Sequence, residues 1–146
     1  MSHDAKHSVL FPDLLSKPAY VRFDEPDTTT DGGAILLKSV DESIGLTERL
    51  AACFEDSRQP AKVVHELGDL LRQRVYGLSC GYSDANDAAR VGEDPAHRML
   101  LDRDPIEGEP LASQPTLSRF ENAIDVRSFF RLREVLLDQF IASWLT

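Results

Sequence analysis

Residues 112–122 read ASQPTLSRFEN, and this stretch is the most legible part of the chain. Ser113 is a favoured helix N-cap, and Pro115 suits the first helical turn because it has no amide hydrogen to leave unpaired. The sequence therefore predicts a short helix over residues 115–122. Its exposed side chains combine amides, a hydroxyl and a guanidinium, a set typical of surfaces that contact phosphates or bases: Gln114, Ser118, Arg119 and Asn122.

A long amphipathic helix is predicted directly after this stretch, capped by Asp125 and reaching Leu145. Its apolar side chains form two adjacent rows, which are Phe129, Leu132, Leu136, Phe140 and Trp144, and then Phe130, Leu137, Ile141 and Leu145. A stripe this wide is expected to be buried, either within the domain or against a neighbour.

Another long helix is predicted over Ala61–Ser79, because apolar residues recur along it at helical spacing. Val63, Leu67, Leu70, Leu71, Val75 and Leu78 form its buried stripe, whereas Glu66, Asp69, Arg72 and Gln73 form its polar face. Shorter helices are predicted over residues 31–43, with Ile35, Leu36, Leu37 and Val40 buried and Gly45 as the stop, over 47–54, and after the caps Asp84 and Asp94.

The predicted fold is mainly α, a compact domain of six or seven helices with one short N-terminal β-strand. The strand is placed at Tyr20–Phe23, where apolar and polar residues alternate. The sequence shows no good partner strand, so pairing with a sheet outside the chain is one prediction. Residues 1–18 are predicted to be a flexible lead-in, and residues 19–146 the helical domain.

The charge is acidic, with 16 basic and 25 acidic side chains and a formal net charge of −9. DNA-binding domains are usually basic. The imbalance lies in residues 1–111, whereas residues 112–146 carry four basic and four acidic groups and are neutral. Since screening confines fields to about 8–10 Å at ordinary salt, a local contact surface on an acidic protein is possible.

The two cysteines, Cys53 and Cys80, lie far apart and outside the usual metal-ligand spacings, so they are predicted to be free thiols in a reducing compartment. The sequence shows neither a signal peptide nor an apolar run of the ~20 residues that a membrane span needs. A cytoplasmic protein with no membrane contact is therefore expected.

Four stretches, taken in order, resemble the N-terminal region of bacterial DDE-class insertion-sequence transposases, and more narrowly the insertion-sequence family numbered thirteen-eighty. Together they span roughly residues 20–123, which is most of the chain. They are residues 31–37 (DGGAILL) with 46–50 (LTERL), 69–77 (DLLRQRVYG), 80–87 (CGYSDAND) and 112–122. The resemblance implies a role in transposition, with DNA at the transposon's terminal inverted repeats as partner.

The resemblance also implies metal-dependent strand cleavage and transfer, in which three carboxylates hold two Mg²⁺ ions about 3.5–4 Å apart. In this family the first of those carboxylates lies on a strand that would follow residue 146. We therefore assign no catalytic residue and no cofactor to this chain, and expect it to be inactive by itself. A truncated or remnant gene product, or a boundary within a longer protein, would each account for this.

Other groups of polar residues are expected to have structural roles, and no metal site is predicted. Asp84 and Asp87 are read as a helix cap and its first turn. The acidic residues of loop 102–110 lack the spacing of a calcium loop. His65 and His97 are both predicted on helix surfaces.

DNA contact is predicted at two places. The first is the short helix over residues 115–122 and its start, with Gln114, Thr116, Ser118 and Arg119. The second is the helix over residues 61–79, with Arg72 and Arg74. The alternatives at these arginines are an ion pair of Arg72 with Asp69 and a salt bridge of Arg119 with a neighbouring acid.

Two further hypotheses concern the whole chain. It could be a helical interaction module without DNA contact, which dimerises or packs on a catalytic domain. It could also be a regulator that competes with intact transposase for DNA ends or subunits. The net acidity and the apolar last helix favour the interaction module, whereas a basic strip along the short helix would favour DNA.

Overall fold

The computed structural model describes residues 9–10, 13–15, 18–20 and 29–144 of the chain. Two short strands, β1 (Val9–Leu10) and β2 (Ala19–Tyr20), pair antiparallel, with Val9 opposite Tyr20. Tyr20, the first residue of the strand predicted at Tyr20–Phe23, thus pairs with a residue of the same chain, within the predicted lead-in. Residues 21–23 lie outside the described part.

Seven α-helices make up the domain between residues 35 and 144, which confirms the mainly helical fold. They are α1 (Ile35–Ile44), α2 (Leu46–Ala51), α3 (Leu67–Ser79), α4 (Ala88–Glu93), α5 (Pro95–Leu100), α6 (Gln114–Asn122) and α7 (Val126–Trp144). None of these helices is long and apolar enough to cross a membrane.

Local sequence signals set several helix ends, as predicted. Gly45 ends α1 at a φ of 61°, a left-handed conformation that glycine adopts without steric cost. The Asp94 carboxylate accepts a bond from the Ala96 amide at 2.8 Å and so caps α5. Asp125 caps α7 through the Ser128 amide at 2.7 Å. The predictions of these three boundaries are confirmed.

The start of α3 differs from the prediction. The helix begins at Leu67, whereas the apolar spacing predicted a start at Ala61. A single 3₁₀ turn covers Pro60–Lys62, and Val63 and Glu66 then have extended backbones with ψ of 111° and 155°. Adjacent β-branched residues at 63 and 64 lose side-chain freedom in a helix, which favours the extended path.

The inner face of α1 also differs from the prediction. Leu36 and Val40 are exposed, although the spacing placed them on the buried side. Ile35 is buried, and beside it the aliphatic stem of Lys38 is buried while its ammonium pairs with the carboxylate of Asp102. The pairing explains how a lysine can lie on the inner face, because a buried cation requires a counter-charge.

Two hydrophobic clusters form the core. In the first, Tyr76 of α3 packs with buried residues from the turn before α1, from the end of α5 and from the loop after it: Ala34, Leu100, Leu101 and Leu111. In the second, Leu70 of α3 packs with residues that lead into and form α4 and α6: Ala85, Ala88, Ala112 and Leu117. Helix α3 is thus the element that both clusters share.

Candidate functional site

Helix α6 is fixed to the core at its beginning. Leu117 is 2 % exposed, and the segment before the helix is held by Gln73 of α3. The Gln73 amide donates from Nε2 to the Ala112 carbonyl oxygen at 2.9 Å and accepts at Oε1 from the Ala112 amide, also at 2.9 Å. Gln73 is therefore buried and pairs with a buried backbone, and its predicted place on the polar face of α3 is wrong.

Three of the predicted DNA contacts lie on the first turns of α6, in two separate hydrogen-bonded pairs. Gln114 Nε2 donates to the Ser118 hydroxyl at 3.0 Å. The hydroxyls of Ser113 and Thr116 are 3.2 Å apart, and the Ser113 side chain does not bond to the backbone amides of the helix. These groups are all polar and at least partly accessible, so the surface can exchange its internal bonds for bonds to a ligand.

The fourth predicted contact on this helix is Arg119, which is exposed. Its Nε donates to the backbone carbonyl of Pro115 at 3.0 Å, one turn earlier in α6. The alternative prediction, a salt bridge to a neighbouring acid, is not seen among the described residues. The guanidinium is therefore exposed near the first turn of α6, and no acid among the described residues pairs with it.

The two predicted contacts on α3 are held by acids. Arg72 lies 3.3 Å from Asp69, the ion pair that the sequence offered as its alternative. Arg74 is largely buried, and its Nε lies 2.5 Å from the Glu121 carboxylate, a charge contact whose angle falls outside that of a hydrogen bond. Arg74 also donates to the carbonyl of Ser83 at 3.2 Å. Arg74 thus connects α3 to α6 and to the segment after α3, whereas Arg72 pairs within α3, and DNA contact by both arginines stays a prediction.

The apolar side of α7 faces outward. Its large side chains are about half exposed or more, namely Phe129, Phe130, Leu136, Leu137, Phe140, Ile141 and Trp144. Ser128 is the one residue of α7 that is buried in the described structure. The prediction that this stripe is buried within the domain is wrong, which leaves burial against a neighbour. Contiguous exposed apolar surface of this kind marks interaction sites.

A partly buried polar cluster around the buried His97, made of Asp31, Cys80, Tyr82 and His97, was not anticipated from the sequence. The Asp31 carboxylate oxygen Oδ2 accepts a bond from the Tyr82 hydroxyl at 2.7 Å and lies 3.0 Å from His97 Nε2. His97 is fully buried, so its predicted place on a helix surface is wrong. The bonds join segments 51 and 66 residues apart, and no spacing pattern in a single sequence signals them.

The environment of this cluster shifts the pKa values of Asp31 and Cys80 in opposite directions. Burial raises the pKa of Asp31, but hydrogen bonds from Tyr82 and His97 outweigh it and hold that pKa below its ordinary value. Burial, together with the negative charges of Asp31 and Asp94, raises the pKa of the Cys80 thiol. Without a cation, the carboxylate is thus charged and the cysteine is a neutral thiol at neutral pH.

The other polar groups considered from the sequence have structural contacts. Asp84 accepts a bond from the Asn86 amide at 2.9 Å, which confirms its role as a cap. His65 lies before α3 rather than on a helix, and its Nδ1 is 3.3 Å from Arg103 Nη2. Cys53 and Cys80 are free thiols, as predicted.

The fold and its surfaces define a mainly helical domain that presents one polar helix, α6, and one uncovered apolar helix, α7. Residues 11–146 match the family model of transposase DDE domain group 1, and the chain belongs to this family of DDE transposase domains. Neither a search of curated proteins nor a search of solved structures found a match. Transposition of DNA is thus the process in which the chain's family acts, whereas the assignment to the thirteen-eighty type and to the N-terminal region stays a prediction.

The family's Mg²⁺ chemistry requires several carboxylates around one centre, because Mg²⁺ binds oxygen ligands. Within the described residues, the one group of three metal-ligating side chains is Asp31, Cys80 and His97. That group supplies one carboxylate, one thiol and one imidazole, so it does not fit a pair of Mg²⁺ ions. No step of strand cleavage is derived from it.

Proposed function

We propose that this chain is the part of a DDE transposase that recognises DNA at the transposon ends, with α6 as the contact. Gln114, Thr116, Ser118 and Arg119 would lie against the duplex, the hydroxyls and the helix N-terminus on phosphates and the arginine on a base or phosphate. Family membership supports a role in transposition. The DNA contact itself, Mg²⁺-dependent catalysis by the intact family member and a cytoplasmic location remain predictions.

The observation that carries this proposal is the way α6 is built. Buried Leu117 and the bonds between Gln73 and Ala112 fix the start of the helix, while its polar residues point outward. A rigidly held helix start with accessible hydroxyls and an arginine meets the geometric requirement for positioning on a phosphate backbone. Residues 112–146 carry equal numbers of basic and acidic groups, so this part of the chain repels DNA phosphates less than the acidic residues 1–111 do.

The Arg119→Ala variant tests this directly. We expect its affinity for a duplex with the element's terminal repeat to be weaker by about 1–3 kcal/mol if the arginine reads a base. Fluorescence anisotropy with the terminal-repeat duplex and with a scrambled duplex, at two salt concentrations, measures both affinity and specificity. Salt sensitivity is expected because phosphate contacts release counterions.

The matched control is Lys62→Ala, which removes an exposed positive charge before α3, outside both α6 and α7, and changes the net charge equally. Its affinity should stay close to that of the unaltered chain. Equal losses in both variants would show a nonspecific charge effect, and equal affinity for the two duplexes in the unaltered chain would contradict end recognition.

A second function is favoured by the uncovered face of α7, which is self-association through that helix. Arg127, Arg131 and Arg133 lie in its first half, and Glu134 and Asp138 follow them. Two copies of α7 packed antiparallel would cover both apolar faces and would bring Arg127 and Arg133 of one copy near Glu134 of the other, whereas Arg131 and Asp138 pair with Glu55 and Arg49 within the chain. The occupant that best fits this surface is therefore a second copy of the chain.

The Leu136→Asp variant tests this second function, because a carboxylate would be buried in the dimer interface. We expect the dimer dissociation constant to rise by at least about tenfold, as measured by sedimentation equilibrium. The control is Leu36→Asp on α1, since Leu36 and Leu136 are 51 % and 53 % exposed. A monomeric unaltered chain, or equal effects of both substitutions, would contradict self-association through α7.

A further inference from the structure

Three potential metal ligands converge from three segments that are distant in sequence. Asp31 precedes α1, Cys80 follows α3, and His97 lies in α5. One donor atom from each side chain lies within 4.8 Å of the donor atoms of the other two. Ligands around a single ion of about 2.0–2.3 Å bond length are separated by distances of this order, so small side-chain movements would close the group around a cation.

His97 is the most deeply enclosed of the three ligands, because its side chain is completely buried. Its Nε2 lies 3.0 Å from the Asp31 carboxylate oxygen Oδ2, so Nε2 is the ring nitrogen that can bind an ion together with this carboxylate. Nδ1 lies on the other side of the ring and has no hydrogen-bond partner among the described residues. The convergence of the three donor atoms is therefore the observation that supports the site.

We propose that Asp31, Cys80 and His97 form a binding site for one divalent transition-metal ion of the Zn²⁺ class. Thiolate, imidazole and carboxylate are the three protein ligand types that Zn²⁺ accepts, and a water molecule would complete a tetrahedral set. The thiolate disfavours Mg²⁺ and Ca²⁺, which select oxygen ligands. This site is independent of the proposed DNA contact on α6.

Binding balances in protons and charge. The Cys80 thiol loses its proton to solvent as sulfur bonds to the ion, and the carboxylate of Asp31 binds as the anion that it already is. The Nε2 atom of His97 gives up its hydrogen bond to Asp31 and donates its lone pair to the ion, with the one proton of the neutral ring on Nδ1, so the +2 charge of the ion is met by two negative ligands. The cation also offsets the burial and the acidic neighbours that disfavour the thiolate in its absence.

The ion would act as a cross-link between segments. It would join the entry to α1, the end of α3 and the middle of α5, all of which border the core cluster of Tyr76 and Leu100. Metal binding of this kind adds its free energy to folding, because the site does not exist in the unfolded chain. The alternative is a purely hydrogen-bonded network of Asp31, Tyr82 and His97.

Cobalt titration of the full chain distinguishes a metal site from a purely hydrogen-bonded network. Co²⁺ replaces Zn²⁺ in such sites, and we expect one equivalent to produce a thiolate-to-cobalt charge-transfer band that Zn²⁺ then abolishes. In thermal unfolding, Zn²⁺ at about 100 times its dissociation constant should raise Tm by about 5–10 °C. No band and no rise in Tm, in a chain shown to be folded by circular dichroism, would overturn the site.

The two cysteines supply a matched pair of variants. Cys80→Ser should abolish the charge-transfer band and weaken binding by more than about tenfold, whereas Cys53→Ser should leave both unchanged. Cys53 is buried near α2, and its thiol donates to the Arg49 carbonyl rather than to the cluster. A band lost in Cys53→Ser and kept in Cys80→Ser would also overturn the assignment.

Discussion

Replacement of Gln73 by leucine is expected to lower the free energy of unfolding by about 2–4 kcal/mol, as measured by urea denaturation. The leucine fills a similar volume but cannot pair with Ala112, whose buried N–H and C=O groups each lose a bond of 2.9 Å. Unsatisfied buried backbone groups cost about 1–3 kcal/mol each. The start of α6 would also lose its fixed position, so DNA affinity should fall together with stability.

Gln59→Leu is the control for this substitution, because Gln59 is exposed. Its effect should stay within about 0.5 kcal/mol, as is usual for surface changes. If Gln73→Leu proved as mild as Gln59→Leu, the bonds to Ala112 would not be what holds α6 in place.

Leu100→Ala is expected to destabilise the domain by about 2–5 kcal/mol, because it leaves a cavity in the core cluster around Tyr76. Leu100 is 1 % exposed and packs between α1, α3 and the loop after α5. Thermal and urea unfolding of the variant would measure the loss.

The same change at Leu78 provides the comparison. Leu78 lies near the end of α3 and is 51 % exposed, although the apolar spacing placed it on the buried stripe. Leu78→Ala should cost less than about 0.5 kcal/mol. A comparable loss at both positions would mean that α3 packs in a different rotation from the one described.

Those parts of the fold that depend on local chemistry could be predicted from the sequence. Gly45 ends a helix because it alone adopts a positive φ freely, and Asp94 and Asp125 begin helices because their carboxylates reach the amides two or three residues ahead. These signals operate within a few residues, so no knowledge of the tertiary structure was required to read them.

The predicted start of α3 was wrong because of contacts with distant parts of the chain, in addition to the β-branched residues at 63 and 64. The apolar spacing continues back to Val63, but the segment before Leu67 is held extended by other parts of the chain. Arg58 donates to the His65 carbonyl at 3.0 Å, and Arg103 contacts the His65 ring. A helical pattern cannot reveal such contacts, since they depend on residues up to 38 positions away.

The residues of the candidate sites likewise fall into those that local spacing predicts and those whose position depends on distant partners. The polar face of α6 could be read from spacing and residue type, whereas the roles of Gln73 and His97 could not. Each of these two side chains is polar and lies at a position that a helical projection places outside the core, yet each is buried by a partner 39 or 66 residues away. Polar side chains enter a core when a distant segment supplies their hydrogen bonds, which a single sequence does not display.

The position of Trp144 has a consequence for optical spectroscopy of this chain. It is the chain's one tryptophan, it is 76 % exposed, and its ring stacks edge-on against Phe140 at 5.8 Å on the uncovered side of α7. Because indole emission depends on the polarity around the ring, intrinsic fluorescence would respond weakly to melting of the core around Tyr76. It would instead shift to the blue when another molecule covers α7, so the chain carries its own reporter for that surface.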